Sequence, residues 1–214
     1  MVLQLLVSLF LMDFGVIATY YASAKESALK MFNENNFTES EARLFEIDVS
    51  NTEDCATKLL SALLEEEGRV DVIVNNAGIT RDGLFKKMSA QNWKDVINTN
   101  LNSVFNVTQP LFGAMCEQKY GRIVNISSVN GLKATIFGQT NYSAAKAGMI
   151  GFSKALAAEG ARVWCHSQRY RPWIHWNARW SKKMKPEALE SIVGQVPMKR
   201  LAKPEEIAKA IKLR

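Results

Sequence analysis

Short runs of β-branched and aromatic residues alternate with longer stretches of helical character, and this alternation restricts the fold more than any other feature of the chain. Val16-Ile-Ala-Thr-Tyr-Tyr21 reads as a strand, Ala24 to Asn35 as a helix, and Arg43 to Val49 as a second strand. Thr52 to Glu67 is a helix with Asn51 placed as its N-cap. Val70 to Asn75 is almost wholly apolar, as strands buried on both faces of a parallel sheet are. Trp93 to Lys119 is a long helix in which Pro110 marks a kink or a break. A strand at Arg122 to Ser127, a helix at Asn141 to Ala158 and a last helix opened by Pro204-Glu205-Glu206 complete the pattern. Strands alternating with helices give an α/β fold with a parallel sheet and right-handed crossovers, and 214 residues suit a single domain, 1–214.

In such sheets ligands bind at the C-terminal ends of the strands. Gly78, Ser128 and the loop before Tyr142 all follow predicted strand ends. Tyr142 and Lys146 lie four residues apart on the predicted helix, so the phenol and the ammonium share one face a turn apart. A cation beside a phenol favours the phenolate and lowers its pKa, which makes a proton donor usable near neutral pH. Ser128 adds a hydroxyl that could donate to the same substrate oxygen. Alone, Tyr-x-x-x-Lys is more often a surface tyrosine packed on a lysine stem.

The pair is not alone. Asn75-Asn76-Ala77-Gly78, Asn98-Thr99-Asn100, Gly121-Arg-Ile-Val-Asn-Ile-Ser-Ser128 and Tyr142 with Lys146 occur in that order, and Val70 to Lys154 resembles the short-chain dehydrogenase/reductase family throughout. The resemblance implies a Rossmann-like doubly wound parallel sheet. It implies that Tyr142 is the general acid, that Lys146 depresses its pKa and binds the nicotinamide ribose, that Ser128 polarises the carbonyl, and that Asn100 holds a water in the proton relay. Asn75, Ala77 and Gly78 would line the cofactor, with Asp48 and Val49 against the adenine. The loop after the first predicted strand has no acid before Glu26 but carries Lys25, which favours NADP(H) over NAD. Asn76-Ala-Gly-Ile-Thr-Arg-Asp82, Ser127-Ser-Val-Asn-Gly131 and Phe137-Gly-Gln-Thr-Asn-Tyr142 are similar to the family's acetoacetyl-CoA reductases of polyhydroxyalkanoate synthesis. The sister class is the 3-oxoacyl-[acyl carrier protein] reductases of fatty acid synthesis. By that similarity Phe137 and Gln139 would touch the acyl or pantetheine part of a coenzyme A or carrier-protein thioester, and the family's usual assembly is a homotetramer.

Composition narrows the remaining classes. Apolar residues at 47% and charged ones at 22% are those of a soluble globular protein. Cys55, Cys116 and Cys165 have no metal-like spacing, and an odd, sparse set reads as reduced thiols in the cytoplasm. The apolar opening Met1 to Leu11 is ended by Asp13, short of the roughly 20 residues of a membrane span, so neither membrane span nor targeting segment is expected. A net charge of +6 suits an anionic ligand without requiring one.

Two segments depart from the family pattern. The Thr-Gly-x-x-x-Gly-x-Gly turn that brings backbone N–H groups to a pyrophosphate is absent, as is Asn-x-x-x-Pro-Gly after the Tyr/Lys helix. The sheet is therefore expected to be incomplete, lacking the strand with the glycine turn and the last strand, and NADPH binding is expected to be weak or absent; a catalytically inactive remnant is the alternative to an active reductase. Val163 to Trp180 holds four of the five tryptophans and both histidines, with Arg169, Arg171 and Arg179 and no acid. A single-strand nucleic-acid surface or a metal site on His166 and His175 are the literal readings, and neither is the expectation. Val163 to Ala178 can instead be back-translated so that reading one base later yields YGVTVNVIAPGYTG, the missing family stretch. Met1 to Phe14 can be treated likewise to give GIATASFVISDGF. Residues 1–14 and 163–183 are thus expected to be out-of-frame products, with Ala134-Thr-Ile-Phe137 a smaller slip.

Overall fold

The computed structural model describes residues 15–38, 40–60, 63, 68–133, 137–161, 165–170 and 186–212. The expectations for 1–14, for Ala134 to Ile136 and for most of 163–183, including His175, lie outside them. The strands are β1 (Val16–Tyr20), β2 (Ala42–Glu46), β3 (Val72–Asn75), β4 (Gly121–Ile126) and β5 (Cys165–Tyr170). The helices are α1 (Lys25–Glu34), α2 (Thr52–Leu60), α3 (Ala90–Ile97), α4 (Ser103–Glu117), α5 (Thr140–Gly160), α6 (Pro186–Gln195) and α7 (Pro204–Lys212). The result is a Rossmann-like α/β arrangement whose strands form two sheets, β1-β2 and β3-β4-β5.

In the first sheet Val16 N donates to Glu41 O and Ile47 N to Tyr20 O, each at 3.0 Å, so the two strands run in the same direction. Val16, Ala18 and Ala42 are buried there, with Met31, Phe32, Phe37 and Leu44 packed on them. In the second, β3 pairs parallel to β4 with Val72 opposite Arg122 and Asn75 opposite Asn125. A parallel pair needs a long crossover, and α3 with α4 supplies it between β3 and β4, as α5 does between β4 and β5. The core of this part joins Ile47, Cys55, Leu59, Val70, Ile73, Leu111, Met115 and Ile123. Cys55 is fully enclosed, and burial pushes its thiol up to about 11, with Asp54 and Asp48 adding to the effect.

Local signals explain where the helices begin. Asn51 caps α2, its Oδ1 accepting from the N–H groups of Glu53 (3.0 Å) and Asp54 (3.1 Å). Ser89 caps α3 by accepting from Asn92 N at 3.1 Å. Between α3 and α4 the helix widens into a π turn over Asn98–Asn102. There the Ser103 hydroxyl donates to Thr99 O at 2.6 Å. Pro110 sits within α4 without ending it.

The sequence reading places no strand at 165–170. Residues 165–170 carry no strand-like side-chain pattern, yet Cys165–Tyr170 pairs parallel with β4, Gly121 opposite Cys165 and Ile126 opposite Tyr170. Ladder bonds join backbone to backbone, so β4 offers a template that any extended segment of the right length could occupy.

The described residues fall into two compact units. The larger holds β3, β4 and β5 with α2 to α5, and all of the site chemistry below; the smaller holds most of α1 with α6 and α7. No described helix is long and apolar enough to cross a membrane.

Candidate active site

β3 and β4 end side by side, and the residues that follow them meet the first turns of α5. Asn75, at the end of β3, donates through Nδ2 to Asn125 Oδ1 (2.8 Å) and Thr108 Oγ1 (3.1 Å). Asn125 in turn donates to Ser153 Oγ at 2.8 Å, and Ser153 donates to Met149 O at 2.7 Å. This buried chain of amides and hydroxyls ties both strand ends to α4 and α5. Asn75 is thus committed to the protein interior.

Asn100 lies in the π turn and is completely buried. Its amide grips one residue from both sides: Oδ1 accepts from Ile79 N and Nδ2 donates to Ile79 O, each at 2.8 Å. Gly78 precedes that residue. A Cβ on Gly78 would lie 2.8 Å from Asn100 Oδ1 and 3.8 Å from Lys146 Nζ, so only glycine leaves this space open. Gly78→Ala is expected to push the Asn100 amide off Ile79 and lower kcat about tenfold, a loss of the size that misplaced site groups produce. Steady-state kinetics beside a urea melt would separate that loss from general unfolding.

α5 is anchored just before Tyr142. Asn141, fully buried, donates to Arg81 O (3.1 Å) and Asn92 O (3.2 Å) while its Oδ1 accepts from Tyr142 N (2.8 Å). Lys146, one turn on, is buried, and its Nζ stands 5.8 Å from the centre of the Tyr142 ring. Nζ donates to Ile126 O at 2.7 Å. Ser128 Oγ accepts from Asn130 N at 3.2 Å, and the Ser128 hydroxyl lies near enough to the Tyr142 phenol to affect its titration. The structure therefore brings Ser128, Tyr142 and Lys146 together, with Asn100 beside them across Gly78.

The titration of Tyr142 runs opposite to the expectation. Burial raises its pKa; the hydrogen bond from Ser128 pulls it down in part, and the charge of Asp82 raises it further. Lys146 does not offset this, because its ammonium is turned to the Ile126 carbonyl. Burial lowers Lys146 itself from the ordinary 10.5 to about 8. Between these two values the unfolded chain holds the lysine proton and the folded chain sheds it, so stability rises with pH across that window. Below pH 8 the cost of the buried cation is present in full. Tyr142 acts in the opposite sense only above the usual phenol range, about pH 10. The urea midpoint is expected to gain more from about pH 7.5 to about pH 9.5 in the native chain than in Lys146→Met.

Other predicted residues are placed differently. Gln139 is buried, accepting from Asn130 Nδ2 (2.6 Å) and donating to both carboxylate oxygens of Asp82 (3.1 Å each). Its amide is engaged within the protein. Phe137 is 96% exposed. Gly138, at φ +79°, lies against Gly83, whose N–H donates to Gly138 O at 2.8 Å. Asp48 accepts from Ser50 N (2.9 Å) and Ser50 Oγ (2.7 Å), forming the turn into α2. Val49 O accepts from Asn106 Nδ2 at 3.0 Å, which fastens that turn to α4. Lys25 is exposed at the first turn of α1. The side chain of His166 in β5 lies outside what is described, and no cluster of three metal-ligating residues occurs among the described residues.

Asn76 was not singled out by the sequence reading. Its Oδ1 is the one buried side-chain polar atom among the described residues that lacks a hydrogen-bond partner. An acceptor left without a partner fits a ligand bearing hydroxyl or amide donors. Asn76 stood within the quoted Asn-Asn-Ala-Gly run, but nothing in the sequence separates a satisfied amide from an unsatisfied one.

A sequence model described as short chain dehydrogenase matches residues 5–164 of the chain. The chain belongs to the short-chain dehydrogenase family. Among relatives, an acetoacetyl-CoA reductase of Acinetobacter sp. (strain RA3849) is 48% identical over 204 residues, covering 92% of this chain and 79% of that protein. A nodulation protein G of Azospirillum brasilense is 49% identical over 165 residues, 77% of this chain and 65% of that protein. A 3-oxoacyl-[acyl-carrier-protein] reductase of Chlamydia trachomatis serovar D is 43% identical over 168 residues, with the same two coverages of 77% and 65%.

Proposed function

We propose that this chain reduces a 3-oxoacyl thioester, acetoacetyl-CoA in the first place, to the 3-hydroxyacyl thioester with NADPH. The observation that carries the reading is a phenol, a serine hydroxyl and a buried ammonium gathered at the ends of β3 and β4, in a chain whose relatives include acetoacetyl-CoA reductases. A carrier-protein thioester is the second reading, favoured by the relative named for that substrate.

The orphaned Asn76 acceptor suits a hydroxyl or amide donor on the ribose or nicotinamide of such a cofactor, and Gly78, two residues on, keeps the backbone close to Asn100 and Lys146. When bound, the cofactor supplies the hydride that goes to the keto carbon. As the carbonyl π bond opens, negative charge grows on its oxygen, and Ser128 and Tyr142 are donors aimed at that charge. Tyr142 gives its proton to the oxygen and is left as phenolate, which solvent reprotonates. A raised pKa keeps Tyr142 protonated but makes it a weaker donor; a cation beside the phenolate eases the transfer, so Lys146 must leave the Ile126 carbonyl for the ribose and phenolate. Asn100 holds Ile79 and a water of the relay. Lys25 selects the 2′-phosphate, Asp48 and Val49 border the adenine, and Phe137 contacts the acyl arm. Gln139 serves that surface through Asn130 and Asp82. The working assembly is a homotetramer in the cytoplasm.

We propose as well that residues 1–14 and 163–183 derive from another reading frame. The deciding assay follows NADPH oxidation with acetoacetyl-CoA and with 3-oxoacyl carrier protein, in this chain and in one with both frames restored. Turnover of either thioester by the chain upholds the reading. Turnover by the restored chain alone makes the present one an inactive remnant, and turnover by neither removes the assignment.

A further inference from the structure

Resting on that reading of the reaction, we propose that Ser127 is a positioning residue: its hydroxyl clamps the backbone of Lys146 to the end of β4 and so sets where the ammonium and the Tyr142 phenol stand relative to Ser128. Two adjacent serines follow Ile126, and they point to different partners. Ser128 Oγ accepts from Asn130 N at 3.2 Å and lies on the Tyr142 side. Ser127, only 4% exposed, donates from Oγ to Lys146 O at 2.9 Å. The residue before it, Ile126, accepts from Lys146 Nζ at 2.7 Å. Lys146 is thus held at both ends by consecutive residues of one strand end, its carbonyl by a side chain and its ammonium by a carbonyl.

A second contact presses on the same point. A Cβ on Gly131 would lie 2.8 Å from both the carbonyl carbon and oxygen of Lys146, so the turn at Val129–Gly131 sits directly on that peptide group. Backbone against backbone gives no room to adjust.

The Ser127 bond is additional to what the helix requires. Lys146 lies inside α5, where its carbonyl has an ordinary helical partner, and a carbonyl oxygen carries two lone pairs. Removing the Ser127 hydroxyl therefore orphans no buried acceptor. What it removes is the fixed separation between the strand end that carries Ser128 and the helical turn that carries Tyr142 and Lys146. Reacting groups lose rate steeply when such separations drift.

The test compares the full chain with Ser127→Ala and Ser127→Thr, using acetoacetyl-CoA and NADPH. Ser127→Ala is expected to lower kcat about tenfold while KM for the thioester stays within about twofold, and Ser127→Thr, which keeps the hydroxyl, to recover most of the rate. A measurement independent of turnover accompanies it: NMR titration of isotope-labelled lysine, with Lys146 assigned by Lys146→Met. Loosening the clamp admits water to the ammonium, so Ser127→Ala should move the Lys146 midpoint upward and Ser127→Thr should not. An Ala variant with unchanged kcat and unmoved Lys146 titration would overturn the proposal, as would equal impairment of both variants. If the native chain reduces no 3-oxoacyl thioester while the lysine responds as expected, the functional reading fails and the clamp stands.

Discussion

Tyr142→Phe is expected to lower kcat for acetoacetyl-CoA reduction about a thousandfold, within the range that loss of a general acid produces. The substitution removes one oxygen from a half-buried ring and leaves the packing of α5 in place. Burial raises the phenol, so it is un-ionised near neutral pH and its removal deletes no charge. Stability should therefore hold or rise slightly while activity collapses. Binding of NADPH, followed by fluorescence, should be nearly unchanged, because the phenol acts on the ketone oxygen. A variant that keeps more than about a tenth of the native kcat would show that the proton comes from elsewhere.

Asn125→Ala is the largest expected loss of stability, about 3 kcal/mol. Asn125 is fully buried at the centre of the polar chain, accepting from Asn75 and donating to Ser153. Alanine removes both bonds and leaves a cavity between β4 and α5. Asn75 keeps Thr108 and Ser153 keeps Met149, which limits the damage. Urea unfolding should show a lower midpoint with an unchanged slope. In a double-mutant cycle with Ser153→Ala the two should couple by about 1 kcal/mol. Additive losses would mean that the amide contributes only its volume.

Both predictions depend on features that were legible to different degrees. β3, β4 and α5 were readable because their apolar spacing and flanking residues agree with their final environment. Asn51 was recognisable as a cap because capping is local. Tyr142 and Lys146 were placed on one face by helical spacing alone. The direction of the Tyr142 shift was not readable, since desolvation depends on what surrounds the ring, and Lys146 found a backbone carbonyl that no spacing rule reveals. Pairing of Asn75 with Asn125 depends on the register of β3 against β4, fixed only when the sheet forms. β5 leaves no mark in the sequence because its bonds are made by the main chain, whatever side chains it carries. Gln139 looked available in sequence and is held by Asn130 and Asp82 in space.

The widened turn at Asn98–Asn102 bears on how such a chain tolerates length changes. A single-residue deletion there would heal the helix into ordinary α geometry, which is by itself the more favourable backbone. It would also rotate one flank about 100° against the other and swing Asn100 away from Ile79. Relatives that differ in length are therefore expected to place their gaps in the surrounding loops, leaving this apparent irregularity in register because the Asn100–Ile79 contact is built on it.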